Sequence, residues 1–303
     1  MSQSAVGYLR DFYRAQGRYA EYVDRTLWVG ETRLSLMAVP GIVPVSNHAT
    51  EVARILKSSG RVAAVFTPAH PTGASVSRFV IRDRAYDWHS LQPQFRQQTK
   101  AALRAGEVRR MEWQEAARLG VAAYTDSIQR RGQSTSPEPA VSRWNAICES
   151  AAVVPGLEAW GMLTAKGELA AIMLVWTNGT ISHGLQIYRS ETHKSLRPTH
   201  ALYFIVSRHQ MLRPEIEEFS VGRQSIPAMP GVDRFKRHAG FKSEPTPVAV
   251  VLRPELGWLL AHPNVVQLFR RWQSRSLPGA RLLKNLDVLE VAAVTRVNPW
   301  KLN

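Results

Sequence analysis

Three apolar runs in immediate succession most constrain how this chain folds. Residues 157–164, 168–176 and 180–189 are each long enough for a strand, and they are joined only by Ala165-Lys166-Gly167 and Asn178-Gly179. Glycine and asparagine at such links suit tight turns, because both tolerate the left-handed backbone those turns use. An antiparallel meander is expected. Residues 198–212 then read as a helix opening on Pro198, since proline at the first helical position sacrifices no hydrogen bond. Ala201, Leu202, Phe204, Ile205, Val206 and Leu212 make that helix apolar on most sides, so a buried helix is expected. A strand at 217–221, a short helix at 232–239 ended by Gly240, and a valine-rich strand at 246–252 complete the pattern.

The first half carries a similar, shorter mixture. Residues 5–24 suit an amphipathic helix, and the two apolar runs flanking Gly30-Glu31 suit a hairpin. Helices are expected at 48–58, at 91–105 ended by Gly106, and at 114–131 ended by Gly132, with strands at 60–68, 77–83 and 106–113. QSTSPEPAVS, residues 133–142, is the clearest linker-like stretch. The expected division is therefore an N-terminal part at 1–135, a C-terminal part at 136–255 holding the cleft, and a basic helical tail at 256–303. The class is mixed α/β, and no solenoid-type repeat is visible.

Composition removes several function classes. The chain of 303 residues has one cysteine, Cys148, so an internal disulfide, a cysteine zinc cage and an iron–sulfur cluster are excluded. Cys148 lies in a helical-looking stretch and is expected to be a small buried hydrophobe. No His-x-x-x-His pair and no Walker loop occur, so no metal site is expected. The N-terminus lacks an apolar signal core, and the run at 169–176 falls short of the ~20 residues of a membrane helix. A soluble, cytoplasmic protein is the expectation. The net charge is +15, and 31 of the 39 basic residues are arginine. That surplus favours a polyanionic ligand, and arginine suits bidentate contact with phosphate.

Three stretches resemble the FemAB-like acyltransferases, a group of the Gcn5-related N-acetyltransferase (GNAT) superfamily with two GNAT-like halves in tandem. SLQPQFRQQTKAALRAGEVRRMEW, residues 90–113, is similar to the family's helix with an arginine, a basic residue a turn later, and a following G-x-V strand. Residues 160–212 match its meander and central helix. FSVGRQSIPAMPGVDRFKRHAGF, residues 219–241, is similar to the family's final strand, loop and F-K-x-x-x-G helix, with Phe235, Lys236 and Gly240 in the motif positions. The resemblance covers about residues 25–253. It departs at THKSLRPTHAL, which contains no glycine where GNAT enzymes carry the Gln/Arg-x-x-Gly-x-Gly/Ala acetyl-CoA signature.

The resemblance implies two tandem halves, each a mixed, mainly antiparallel sheet flanked by helices, and transfer of an acyl or aminoacyl group to an amine acceptor. The donor would be acyl-CoA, an acyl carrier protein or aminoacyl-tRNA, each a co-substrate and none permanently bound. It also implies two central strands that splay apart and a following helix whose N-terminus meets phosphate. Lys194, Arg197, Thr199 and His200 surround that end and are the expected donor-binding residues. Arg96 and Lys100, spaced by four with Arg104, form a helical stripe for a phosphate-bearing substrate; Arg223 follows a strand facing the expected cleft. Lys236, among Arg234, Arg237 and His238, is the expected catalytic cation, able to hold a phosphate or an acyl carbonyl. His183 and His200 are candidate bases, with Asp233 and Glu168 as carboxylate alternatives, and Tyr188 a candidate proton donor. A non-catalytic nucleic-acid-binding protein on the same scaffold is the alternative. The tail favours it, with Arg270, Arg271, Arg275, Arg281 and Lys284 in a stretch free of acidic residues from 256 to 286.

Overall fold

The computed structural model describes residues 3–23, 26–30, 35–41, 44–45, 48–70, 75–130, 137–224 and 229–253. The elements in chain order are α1 (Gln3–Ala15), β1 (Ala20–Val23), β2 (Thr26–Gly30), β3 (Ser35–Val39), β4 (Pro44–Val45), α2 (His48–Ser59), β5 (Ala63–Pro68), β6 (Ser75–Ile81), α3 (Pro93–Ala105), β7 (Gly106–Met111), α4 (Trp113–Arg130), α5 (Pro137–Ala152), β8 (Leu157–Thr164), β9 (Leu169–Asn178), β10 (Ile181–Arg189), α6 (Pro198–Leu212), β11 (Glu218–Arg223), α7 (Pro230–His238), β12 (Lys242–Pro247) and β13 (Ala249–Leu252). Single 3-10 turns lie at Trp88–Ser90 and Lys194–Leu196.

The chain forms two units, each with its own sheet. Among the described residues, one draws on the stretches 3–16, 78–222 and 230–244, and the other on those within 17–77, 223–229 and 245–253. The basic tail lies outside the described residues.

The larger unit is built on seven strands in the order β12-β6-β11-β10-β9-β8-β7. The expected meander is its centre: β8 pairs antiparallel with β9, and β9 with β10. β9 is buried from Leu169 to Trp176, because helices cover both of its faces. Ala171, Met173 and Val175 join the core that holds Phe95 of α3 and Ala201, Leu202 and Phe204 of α6. On the opposite face the register aligns Trp176 with His183 and Ile172 with Tyr188. There Tyr188 packs edge-on against Tyr124 of α4 and Trp144 of α5. β12 sits at the sheet's edge, which explains how KSEPTP can be a strand with two prolines.

The smaller unit has a six-stranded sheet, β1-β2-β3-β5-β13, with β4 joined to β5. β2 and β3 form the expected hairpin, whereas β3 and β5 are parallel. Trp28, Leu36, Val52, Ile55, Leu56 and Phe66 make its core. The indole N–H of Trp28 donates to the buried Glu51 carboxylate at 2.9 Å, so neither polar group is orphaned.

Two local expectations are corrected. The N-terminal helix stops at Ala15, before Gly17 with φ 73°, and the aromatic stretch beyond it becomes β1. The linker-like stretch is partly helical, because Pro137 opens α5 and Ala140, Trp144, Ile147, Cys148 and Ala151 form its buried stripe. Burial pushes the Cys148 thiol up to about 12, consistent with the expected inert packing residue.

Candidate active site

β10 and β11 are parallel neighbours, but their ladder is short. It runs from Ile181–Glu218 to His183–Ser220. At that point β10 carries a bulge between Gly184 and Gln186, while its pairing with β9 continues to Arg189. Among the described residues, the edge of β10 beyond His183 has no β11 partner. This is the splayed pair that the resemblance implies, and a bulge is how a strand turns away from a neighbour.

The chain leaves β10 through a 3-10 turn and enters α6 at Pro198. Arg197, at the junction, adopts φ 55°, the only positive φ at a non-glycine residue among those described. Left-handed backbone at a branched-free but bulky residue costs about 1–2 kcal/mol and is held only by its surroundings. The approach is internally bonded. The N–H groups of Lys194, Leu196, Arg197 and His200 donate to the carbonyls of Glu191, His193, Lys194 and Arg197, at 3.3, 3.1, 3.1 and 3.0 Å. Pro198 has no N–H to offer.

Cationic side chains surround this approach. α3 packs beside α6 and the 3-10 turn. It carries Arg96, Lys100 and Arg104 and no acidic residue. Lys100, Arg104, Lys194, Arg197, Arg234 and Arg237 are exposed. Arg96 is half-buried; its Nη2 donates to the Leu91 carbonyl at 3.1 Å, while its buried Nε has no hydrogen-bond partner among the described residues. Lys100 Nζ lies 5.5 Å from the centroid of the Trp88 ring. Thr199 is half-buried on the first turn of α6. His200, one residue on, lies between Phe95 and Phe235, with ring centroids 4.5 and 5.0 Å away. Burial, then the charge of Arg197, lowers its pKa to about 4, so the ring is neutral near pH 7.

α7 explains the F-K-x-x-x-G pattern. Gly240 takes φ 87° and ends the helix in a Schellman motif: its N–H donates to Arg237 at 3.0 Å, and that of Phe241 to Lys236 at 3.2 Å. Phe235 packs edge-on against Phe95 and Tyr203. Lys236 is thereby turned inward, 7% exposed, with Nζ 4.6 Å from the Phe79 ring centroid. Burial lowers its pKa to about 8, against an upward pull from Asp233. The end of α7 is also tied to the segment before α3, as Gln92 N–H donates to His238 O at 3.0 Å and Tyr86 Oη to Ala239 O at 2.7 Å.

Lys236, His200, Thr199, Arg96, Lys100, Lys194 and Arg197 thus belong to the α3–α6–α7 side of one sheet. His183 and Tyr188 are not brought to them. Both lie on the opposite face, where His183 stacks on Trp176 at 5.8 Å and Tyr188 donates to Gln186. Burial, then Arg78, lowers the His183 pKa to about 4. Arg223 belongs to the other unit, where its guanidinium rests against Gly41, and a Cβ there would sit 3.0 Å from it. Glu168 is exposed and 3.5 Å from His193. No group of three or more metal-ligating side chains occurs among the described residues. Nor is any described helix long and apolar enough to cross a membrane. Phe95, which walls His200, gave no signal in the sequence, since a scattered aromatic has none until the fold collects its neighbours.

The fold, two mixed sheets flanked by helices, is similar to that of several solved structures, FemX among them. FemX aligns with a TM-score of 0.56 at 11% identity, over 84% of this chain and 92% of its own. The C-terminal DUF2156 domain of a putative lysylphosphatidylglycerol synthetase from Agrobacterium fabrum aligns at 0.52 and 10%, over 81% and 90%. L-PGS from Bacillus licheniformis aligns at 0.50 and 9%, over 94% and 96%. No protein-family profile and no curated protein sequence matches the chain.

Proposed function

We propose that this protein is an amide-forming acyltransferase that moves an aminoacyl group from aminoacyl-tRNA to an amine. One observation carries the choice of donor. The approach to α6 has spent most of its N–H groups internally, while side-chain cations crowd around it. A CoA pyrophosphate needs several converging N–H groups at a helix start. An RNA backbone is held instead by spaced Lys and Arg side chains. The aminoacyl character of the transferred group also agrees with the lysyl product in the name of one structural neighbour.

In this reading Arg96, Lys100, Lys194 and Arg197 hold the phosphates of the tRNA acceptor end, and Thr199 and His200 line the entry to α6. The amine nitrogen attacks the ester carbonyl, a C–N bond forms and the C–O bond to the ribose breaks. The unpaired edge of β10 beyond His183 supplies N–H groups to the oxyanion. Lys236, with a pKa near 8, is protonated at neutral pH and gives up its proton at low cost, which suits the departing ribose oxygen. The proton lost by the amine passes to water.

Thermal unfolding of nuclease-treated protein tests the donor. A ligand at about 100 times its Kd adds roughly 2.7 kcal/mol to the folded state. Bulk aminoacyl-tRNA should raise the midpoint saturably, and millimolar acetyl-CoA or CoA should not. A saturable shift with CoA alone would reverse the choice of donor.

A further inference from the structure

The last turn of α4 grips the chain where it leaves β10. Ser127, fully buried, accepts the N–H of Arg189 at 2.8 Å and donates to the carbonyl of the same residue at 3.3 Å. Asp126 accepts the N–H of Glu191 at 2.7 Å and the hydroxyl of the buried Ser190 at 3.3 Å. Arg130 donates to Ser127 Oγ at 2.9 Å and pairs with the Glu191 carboxylate. Glu191 also receives Arg189 at 2.8 Å and Lys194 at 3.3 Å. Three side chains at the end of one helix therefore hold both backbone polar groups of Arg189, the Ser190 hydroxyl, and the N–H and carboxylate of Glu191.

These three residues separate the splayed strand from the approach to α6. The next link is the carbonyl of Glu191, which accepts the Lys194 N–H; the Lys194 carbonyl accepts Arg197, and the Arg197 carbonyl accepts His200. The grip of α4 is thus the fixed end of a hydrogen-bonded relay that ends at the strained Arg197 backbone. A left-handed arginine persists only where its neighbours over-determine it. Asp126 supplies that constraint at the start of the relay. Hydrogen bonds to a charged acceptor contribute about 1.5–3 kcal/mol, enough to decide the conformation of a short surface segment.

We infer that Asp126 is a positioning residue for the donor: through Glu191 and Ser190 it fixes the approach to α6, so that Lys194 and Arg197 present their charges in one geometry. The inference rests on the reading of that approach as the donor site. Asp126 touches no substrate in this account. Arg130 plays the outer part of the same role, steadying Ser127 and Glu191.

The test is filter binding of bulk aminoacyl-tRNA at fixed salt, with Asp126→Ala, Asp126→Asn, Arg130→Ala and the double variant Lys194→Ala/Arg197→Ala, alongside thermal midpoints. Asp126→Ala should weaken binding about tenfold, which is a loss of about 1.4 kcal/mol. Asp126→Asn keeps an oxygen acceptor and should recover most of that loss, which a purely structural or charge role would not predict. Removing a negative charge by itself would tighten RNA binding, so the direction is diagnostic. Arg130→Ala, at an exposed site that folds without a cavity, should weaken binding severalfold and carries the test if Asp126→Ala is unfolded. Binding unchanged or tighter in both alanine variants, while Lys194→Ala/Arg197→Ala binds poorly, would overturn the positioning role and leave the donor site standing. Unchanged binding in Lys194→Ala/Arg197→Ala would overturn the donor site itself, and the inference with it.

Discussion

Lys236 Nζ stands 4.6 Å from the centre of the Phe79 ring, so the one lysine of α7 is held against an aromatic face in the core rather than in water. The ring attracts the cation, but burial costs more, and the pKa falls from 10.5 to about 8.

This makes a pH signature. Between about 8 and 10.5 the unfolded chain keeps a proton on Lys236 that the folded chain has lost, so this residue's contribution to stability rises with pH across that window. Relative to Lys236→Met, the wild-type protein should gain up to about 3 kcal/mol from pH 7 to pH 10.5. Urea unfolding at a series of pH values reads the difference. A constant difference would mean that Lys236 ionises as it does in water. Transfer activity should fall at least tenfold in the same variant.

Gly240 fixes where α7 ends. A methyl group there would lie 2.8 Å from the Ser90 carbonyl oxygen, on a backbone at φ 87°. Gly240→Ala should cost at least about 1–2 kcal/mol from the left-handed backbone alone. Denaturant unfolding at pH 7 measures it. Loss of less than half of that amount would mean the cap rearranges freely.

His183 predicts the acid limb. Its pKa is lowered from 6.5 to about 4 by burial and then Arg78. The group binds a proton in the unfolded chain before the folded one, so stability is complete above pH 6.5 and falls as the pH drops toward 4. In His183→Gln the slope of stability against pH in that window should decrease by about one proton. An unchanged slope would place the titration elsewhere.

The cations of α3 and α7 should set the salt dependence of RNA binding. Each phosphate contact removed lowers the slope of log affinity against log salt by about 0.7–0.9. Lys100→Ala, Arg104→Ala and Arg237→Ala, measured singly by filter binding, should each flatten it. A slope indifferent to all three would move the RNA to another face.

Much of the fold was legible because its signals were local. The meander announced itself through Ala165-Lys166-Gly167 and Asn178-Gly179, and α6 through Pro198. The ends of α3 and α7 were visible in Gly106 and Gly240. What failed depended on neighbours in space. KSEPTP became a strand only because β12 is at an edge, and residues 137–142 became helix because α5 had α4 and α1 to pack against, with the Trp144 indole N–H on the Ala116 carbonyl. The candidate site divided in the same way. Lys236 stood out through a motif with a structural cause, the Gly240 cap that turns Lys236 inward, and the residues around α6 through their place at the start of the helix. His183 and Tyr188 looked equally chemical in sequence, but a bulge at Gly184–Gln186 and the pleat of β10 put both on the face covered by α4 and α5. No residue in the sequence reported the Asp126–Glu191 contact, which spans 65 positions.

The most direct test of the account is transfer itself. The protein would be incubated with bulk tRNA charged with labelled amino acids and a panel of primary amines, then treated with mild base, which cleaves the tRNA ester but spares an amide. The account predicts base-stable labelled product that depends on the amine and is lost in Lys236→Ala, with none formed from labelled acetyl-CoA. Base-stable product from acetyl-CoA, with the aminoacyl-tRNA label wholly released by base, would contradict it.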